Sequence, residues 1–509
     1  MSYSVASAME TLVAFAVSHG LIDEEDRFYA RNGLLDALNL DAPLEGGEVL
    51  AIPETATPLL AVLLDEAVRR GVIEDTQTRR DLFSARLMGL FTAPPSVIAE
   101  RFERIAREDG IERATEWFYA LCRANDYIRV DAIARNIRFF APSEYGELEI
   151  TINLSKPEKD PRDIAALLTK KSVEYPKCML CPENTGYAGR IDFPARQTLR
   201  AIPLTLAGAP WHMQYSPYLY YNEHCIVFND RHIPMSISRG TFERLLEFVT
   251  RFPHYFIGSN ADLPIVGGSI LNHDHFQGGR HHFPMERAGA YGEAAHPDYP
   301  DVRVELVSWP LTTLRLHGDA PDSLCALADH VLACWRGYSD ESLGILSHTG
   351  DTPHNTITPI ARREGAGYVL DLVLRNNRTT EELPLGIFHP HPDLHHIKKE
   401  NIGLIEVMGL FILPGRLQKE LAALEEVLCG VRTLASVRED EHLAAHAQWI
   451  EEIAAKTGRA SRPEAASQVI REELTKKCAR VLYDAGVYKL DEKGKAGVKR
   501  FLQKAGFSI

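Results

Sequence analysis

The sequence predicts an α+β protein with a helical N-terminal region, two similar halves built on mainly antiparallel sheets, and a helical C-terminal tail. Apolar residues recur at three-to-four spacing near both ends and alternate with polar ones through the middle. A strand-helix-strand order also repeats on either side of a loop rich in Gly, Ala and Pro around residues 288–300. At 509 residues the chain exceeds what a single hydrophobic core supports, so several packed units are expected.

Residues 1–138 read as helices, notably Thr57-Pro-Leu-Leu-Ala-Val-Leu-Leu and Glu112-Arg-Ala-Thr-Glu-Trp-Phe-Tyr-Ala-Leu, and carry no evident chemistry. The first half, 139–300, opens on the alternation of Leu148-Glu-Ile-Thr-Ile-Asn-Leu, which reads as a half-buried strand. In it Tyr218-Leu-Tyr-Tyr-Asn-Glu-His-Cys-Ile-Val-Phe reads as strand, Thr241-Phe-Glu-Arg-Leu-Leu-Glu-Phe-Val as amphipathic helix, and Tyr255-Phe-Ile-Gly-Ser-Asn as strand again. The second half, 301–415, repeats the order with Val302-Arg-Val-Glu-Leu-Val, Leu324-Cys-Ala-Leu-Ala-Asp-His-Val-Leu and Tyr368-Val-Leu-Asp-Leu-Val-Leu. From 416 to 509 the chain reads helical, through Glu472-Glu-Leu-Thr-Lys-Lys-Cys-Ala-Arg-Val-Leu.

Composition narrows the function. A hydrophobic fraction of 45% and a charged fraction of 25% are those of an ordinary globular protein. The net charge of −14 repels polyanions, and no segregated basic face offsets it, so nucleic acid is not expected as a partner. Met1-Ser2-Tyr3-Ser4 lacks a basic stretch followed by an apolar run, and no later apolar stretch is long enough to span a bilayer. Eight cysteines are too few and too irregularly spaced for a disulfide framework. A cytoplasmic protein with no membrane partner is the expectation.

The chemistry concentrates in Gly267-Gly-Ser-Ile-Leu-Asn-His-Asp-His-Phe-Gln-Gly-Gly. On a strand, His273, His275 and Gln277 would project to one face at period two. An imidazole there is a competent nucleophile toward phosphorus, because its neutral nitrogen attacks readily and the phosphoimidazole is itself a good leaving group. The glycines leave room for backbone N–H groups to approach phosphate oxygens, and Ser269 adds a hydroxyl. Gln277 is a donor suited to a non-bridging oxygen and a poor general base. Such polar groups between two glycine pairs would be costly to bury without a ligand. A second constellation, Lys177-Cys-Met-Leu-Cys-Pro-Glu-Asn, spaces Cys178 and Cys181 as half of a tetrahedral zinc site. A plain thiol pair is the competing reading. His232, in Asn229-Asp-Arg-His, and His273 are candidates to complete a two-cysteine, two-histidine set, whose closed shell would rigidify rather than activate water.

In this order the motifs resemble the galactose-1-phosphate uridylyltransferases of the longer second bacterial type, within the histidine-triad superfamily. The resemblance runs from about residue 150 to about 415 and rests on Cys178-Met-Leu-Cys181-Pro-Glu-Asn, Asn229-Asp-Arg-His232, Asn260, Gly267-Gly-Ser and His273-Asp-His275-Phe-Gln277. It implies two histidine-triad-like halves. It also implies exchange of UMP between UDP-glucose and galactose 1-phosphate through uridylylated His275, with Gln277 as donor to the transferring phosphoryl group. Cys178, Cys181, His232 and His273 would hold a structural zinc, and Asn260, Gly268 and Ser269 would contact the nucleotide phosphates. The implied partners are small molecules, a UDP-hexose and a hexose 1-phosphate, and relatives are consistent with a homodimer.

Several features depart from the shorter type of the family. Asp274 stands where that type has Pro between the two histidines, with its side chain expected to point away. His354-Asn-Thr-Ile-Thr-Pro carries threonines in place of a His-rich strand, which speaks against a second metal. For the phosphate-binding arginines the candidates are Lys156, Lys159 and Arg162, in a stretch that reads equally as a solvated charged loop. Phe388-His-Pro-His-Pro-Asp-Leu-His-His-Ile-Lys-Lys holds four histidines, but no Gly-Gly-Ser precedes it, Asp393 stands two beyond His391, and its prolines predict a loop. The resemblance gives this segment to sugar-phosphate recognition, with Lys398 or Lys399 at the phosphate and Glu406 near the sugar hydroxyls. Two other functions compete: a histidine-triad nucleotide hydrolase or dinucleotide phosphorylase, disfavoured by Gln277, and a zinc-stabilised binding module, disfavoured by the acidic balance and the single Cys-x-x-Cys.

Overall fold

The computed structural model describes residues 3–155 and 173–509; Lys156, Lys159 and Arg162 lie outside them. The chain divides into two compact units, one of Met1–Arg135 with Ser155–Ile233 and the other of Asn136–Leu154 with Pro234–Ile509.

The first unit is helical up to Arg135, as the three-to-four spacing predicts. Val5–Ser18, Arg27–Ala37, Thr57–Arg69, Gln77–Gly89, Pro95–Glu108 and Ile111–Ala124 are its long helices. Leu59, Leu60 and Leu63 form the buried stripe of the third. Ser4 and Thr76 cap two of these helices by accepting from the backbone N–H three residues on. The remainder of the unit holds three antiparallel strands, Ile202–Leu206, Ala209–Tyr215 and Cys225–Asn229. The last is shorter than the apolar run from Tyr218 predicts. Ser216 N–H bonds the His224 carbonyl at 2.8 Å and Glu223 has φ +51°, so a turn consumes the first half of that run.

In the second unit, seven strands lie in the order His275–Gly279, Phe256–Gly258, Asn355–Glu364, Gly367–Asn376, Thr313–Gly318, Arg303–Val307 and Ala290–Ala294, each pair antiparallel. Helices Arg239–Arg251 and Pro321–Arg336 pack on it and on each other, and Leu245, Leu246, Leu327 and Val331 are among their buried residues. A second sheet pairs Ile137–Ser143 with Gly146–Asn153 antiparallel and Gly146–Asn153 with Leu410–Pro414 parallel. The C-terminal helices Leu417–Leu428 and Pro463–Ala485 pack together, the longer one against Ile137–Ser143. The fold is thus α+β, mainly antiparallel, with helical regions at both ends. No helix among the described residues is long and apolar enough to cross a membrane.

Candidate active site

The strand His275–Gly279 places His275 and Gln277 two residues apart and therefore on one face of the second unit's sheet. His273 is not on that strand. It sits in the bend before it, fully buried, and its carbonyl lies 2.8 Å from His275 Nδ1. A carbonyl only accepts, so Nδ1 carries the hydrogen and the lone pair is on Nε2. Burial pushes the His275 imidazole down to about 4, the neutral form at physiological pH. Asp274 takes the other direction. It too is buried, and burial raises its carboxyl to about 6 against the opposing charge of Arg244 in the helix Arg239–Arg251.

The segment that leaves this strand is fixed from two sides. His281 Nε2 lies 3.0 Å from a Glu149 carboxylate oxygen. Farther on, Arg315 donates to the Met285 carbonyl at 2.9 Å and shares the buried Asp371 carboxylate with Arg362, at 2.7 and 2.6 Å. Both cations hold Asp371 below the usual carboxylate range despite its burial.

Asn260 and Gly268 form one contact. A Cβ on Gly268 would stand 2.7 Å from Asn260 Nδ2, and one on Gly267 2.5 Å from the Ala261 carbonyl. The glycines are therefore demanded first by the chain's own close packing, beyond any approach of phosphate. Ser269 is exposed next to them. Asn260 Oδ1 accepts from Leu404 N–H at 2.8 Å, which ties this loop to the turn bearing Glu406. Lys398 is buried, with Nζ 2.9 Å from Glu406 Oε1, whereas Lys399 is exposed. Of the two lysines only Lys398 reaches inward. The histidine-rich segment from Phe388 is a loop with one short turn of 3-10 helix, as its prolines predict.

In the first unit, Cys178, Cys181 and His232 converge. Their ligand atoms lie within 4.8 Å of one another, with Cys178 Sγ and Cys181 Sγ at 3.5 Å and Cys181 Sγ and His232 Nδ1 at 3.2 Å. Asn184 braces the knuckle by donating to the carbonyls of both Cys178 and Cys181 at 2.8 Å. Sequence reasoning passed over Asn184, although its place three residues after Cys181 is a local signal. Burial and the neighbouring sulfur push the Cys181 thiol up, favouring its neutral form. Two thiolates and an imidazole suit a borderline-soft ion, so these residues could hold a metal.

Comparison with known proteins places the chain in a class and then in a family. The family models of the N-terminal and C-terminal domains of galactose-1-phosphate uridyl transferase match residues 20–234 and 248–447. The protein is thus a nucleotidyltransferase. The galactose-1-phosphate uridylyltransferase of Caldanaerobacter subterraneus is 51% identical over 98% of both chains. Those of Bacillus subtilis and Clostridium acetobutylicum are each 50% identical, over 99% and 96% of this chain and 98% of theirs. The chain belongs to the galactose-1-phosphate uridylyltransferase family, which sets aside the binding-module reading. Among solved structures, yeast Ap4A phosphorylase Apa2 aligns over 51% of this chain and 83% of its own, at 10% identity and a TM-score of 0.27.

Proposed function

We propose that this enzyme transfers UMP between UDP-glucose and galactose 1-phosphate in two steps, through a uridylyl group carried on Nε2 of His275. The observation that carries the reading is the bond of His275 Nδ1 to the His273 carbonyl, which leaves Nε2 as the nucleophilic atom. Nε2 attacks the α-phosphorus of UDP-glucose, the bond from that phosphorus to the bridging oxygen breaks, and glucose 1-phosphate departs with the electron pair. The ring then carries positive charge, and the Nδ1–H bond to the carbonyl strengthens as it develops. A phosphate oxygen of galactose 1-phosphate next attacks the same phosphorus, the P–N bond breaks, and neutral His275 is restored. Sugar phosphates arrive and leave ionised, so orientation and charge stabilisation replace a strong general acid or base.

Gln277, two residues along the same face, donates to a non-bridging oxygen of the transferring group. Asn260, Gly268 and Ser269 meet the nucleotide phosphates. Lys398 and the exposed Lys399 meet the sugar phosphate, and Glu406 the sugar hydroxyls. The half spanning 139–300 supplies the transfer chemistry and 301–415 the sugar-phosphate contacts, with 1–138 and 416–509 as helical supports. Cys178, Cys181, His232 and His273 would hold a zinc ion, which would stiffen the approach to His275 rather than activate water; the candidate donor set among the described residues supports this. The eight cysteines form no disulfide among the described residues, which fits the reducing cytoplasm.

The test is intact-mass spectrometry after exposure to UDP-glucose, followed by peptide mapping. The expected result is one UMP adduct on the peptide containing His275, discharged by galactose 1-phosphate and absent from His275→Ala. An adduct on another residue, or exchange at the full rate in the variant, overturns the proposal.

A further inference from the structure

Strand register places a second, unforeseen residue on the nucleophile's face of the second unit's sheet. Gln277 pairs with Gly258, Gly258 with Ile360, and Thr356, four residues before Ile360 and so on the same face, pairs with Arg375. Arg375 is only 1% exposed, among the most deeply buried large side chains of the chain. A guanidinium in a sheet interior is expensive, and Leu or Met would fill the volume without desolvating a charge. Its bonds point to one purpose. Nη2 donates to the Ile402 carbonyl at 2.9 Å, Nη1 makes a long contact of 3.4 Å to Thr358 Oγ1, and Nε finds no acceptor. Glu406 is the carboxylate that favours its charge, and burial lowers the group to about 10, leaving it a cation at neutral pH.

The turn that Arg375 grips touches both arms of the site. Leu404 N–H donates to Asn260 Oδ1 at 2.8 Å, and the Asn401 amide lies 3.4 Å from the Gly267 carbonyl. The fit admits no slack: a Cβ on Gly258 would stand 2.8 Å from Leu404 Cδ1, and one on Gly403 3.2 Å from Asn260 Oδ1. At the far end of the turn, Glu406 is bonded to Lys398.

We propose that Arg375 is a positioning residue for the sugar-phosphate half of the reaction, clamping the turn from Ile402 to Glu406 against the face that carries His275 and Gln277. It touches no substrate itself. By fixing the Ile402 carbonyl it sets where Glu406 and Lys398 stand relative to the Asn260–Gly268 contact. This rests on the reading above, in which Lys398 and Glu406 meet the hexose 1-phosphate.

Arg375→Met and Arg375→Lys, measured against galactose 1-phosphate and UDP-glucose, test it. In Arg375→Met the KM for galactose 1-phosphate rises about tenfold, while kcat and the amount of uridylyl adduct formed at saturating UDP-glucose stay near the wild-type values. Arg375→Lys keeps the charge without the planar fork and falls between the two. A residue that only fills the core behaves differently: it lowers adduct stoichiometry and kcat together and leaves KM alone, and that pattern in either variant overturns the proposal. Should Arg375→Met fail to fold, the KM of Arg375→Lys decides, a wild-type value sinking the idea. An absence of adduct in the wild-type enzyme would instead sink the parent mechanism.

Discussion

The strand His275–Gly279 and the loop at 388–399 both carry polar side chains two residues apart, and both tie an imidazole nitrogen to a backbone carbonyl, yet they use that bond differently. On the strand it fixes the tautomer of His275 while the period-two backbone lines the ring up with Gln277. In the loop, Pro390 and Pro392 break the period and the rings scatter. His389 and His395 both bond the Pro390 carbonyl, His391 bonds the Ile387 carbonyl, and His396 turns to His446 at 2.7 Å. These rings brace a turn. Four histidines in a row of text therefore weigh less than one histidine on a regular element, because only the element gives several side chains a common target.

The largest expected effect breaks or confirms that contrast. His275→Ala should lose at least about 10⁴-fold in exchange rate, as removal of a covalent nucleophile does. His391→Ala should stay within about threefold, because the ring it removes bonds only the loop's own backbone and lies 3.7 Å from Asp484. Steady-state assays of both variants decide, and a comparable loss in His391→Ala would erase the distinction between the two segments.

A smaller effect sharpens it. The loop needs no ion to hold its rings, whereas the Cys178–Cys181 knuckle with His232 gathers soft donors that repel one another as thiolates without a cation. Cys181→Ala should abolish stoichiometric metal and lower the thermal midpoint by roughly 5 °C. His395→Ala should leave metal content untouched. Elemental analysis beside thermal unfolding reads both, and unchanged metal in Cys181→Ala would reduce the knuckle to a thiol pair.

Much of this was legible beforehand where local pattern and tertiary structure agree. Alternation from Leu148 gave the strand Gly146–Asn153, and the amphipathic spacing after Thr241 gave the helix Arg239–Arg251. The motif from Gly267 to Gly279 pointed to the face where His275 and Gln277 stand. Failures came where distant groups decide. His273 reads as part of the strand by periodicity, but the bend that offers its carbonyl to His275 removes it. Arg375, just beyond the strand-like run Tyr368-Val-Leu-Asp-Leu-Val-Leu, drew no reading, since no local signal tells which arginine will be buried under a turn 27 residues away. Gly267 looked like room for a ligand, and it is also room for the Ala261 carbonyl.

The smallest effect is one of pH, and it belongs to the loop. His396 Nδ1 meets His446 Nδ1, His446 Nε2 lies 2.9 Å from Glu420, Arg416 bonds both Glu420 and the His396 carbonyl, and Lys477 adds further positive charge. Burial pushes His396 down to about 3, and His446 is lowered for the same leading cause. Both lie below the value near 6.5 that an unfolded chain shows, so between those limits the unfolded chain binds more protons than the folded one. The stabilisation is complete above about pH 6.5 and is lost as the pH falls toward the folded value. Thermal midpoints measured from pH 7.5 to pH 5 should fall more steeply in the wild type than in His396→Gln, by about 2 °C over that range. Parallel slopes would mean that His396 titrates as it does in the unfolded chain, and the loop would then owe nothing to that ring's burial, being held by its prolines and carbonyl bonds.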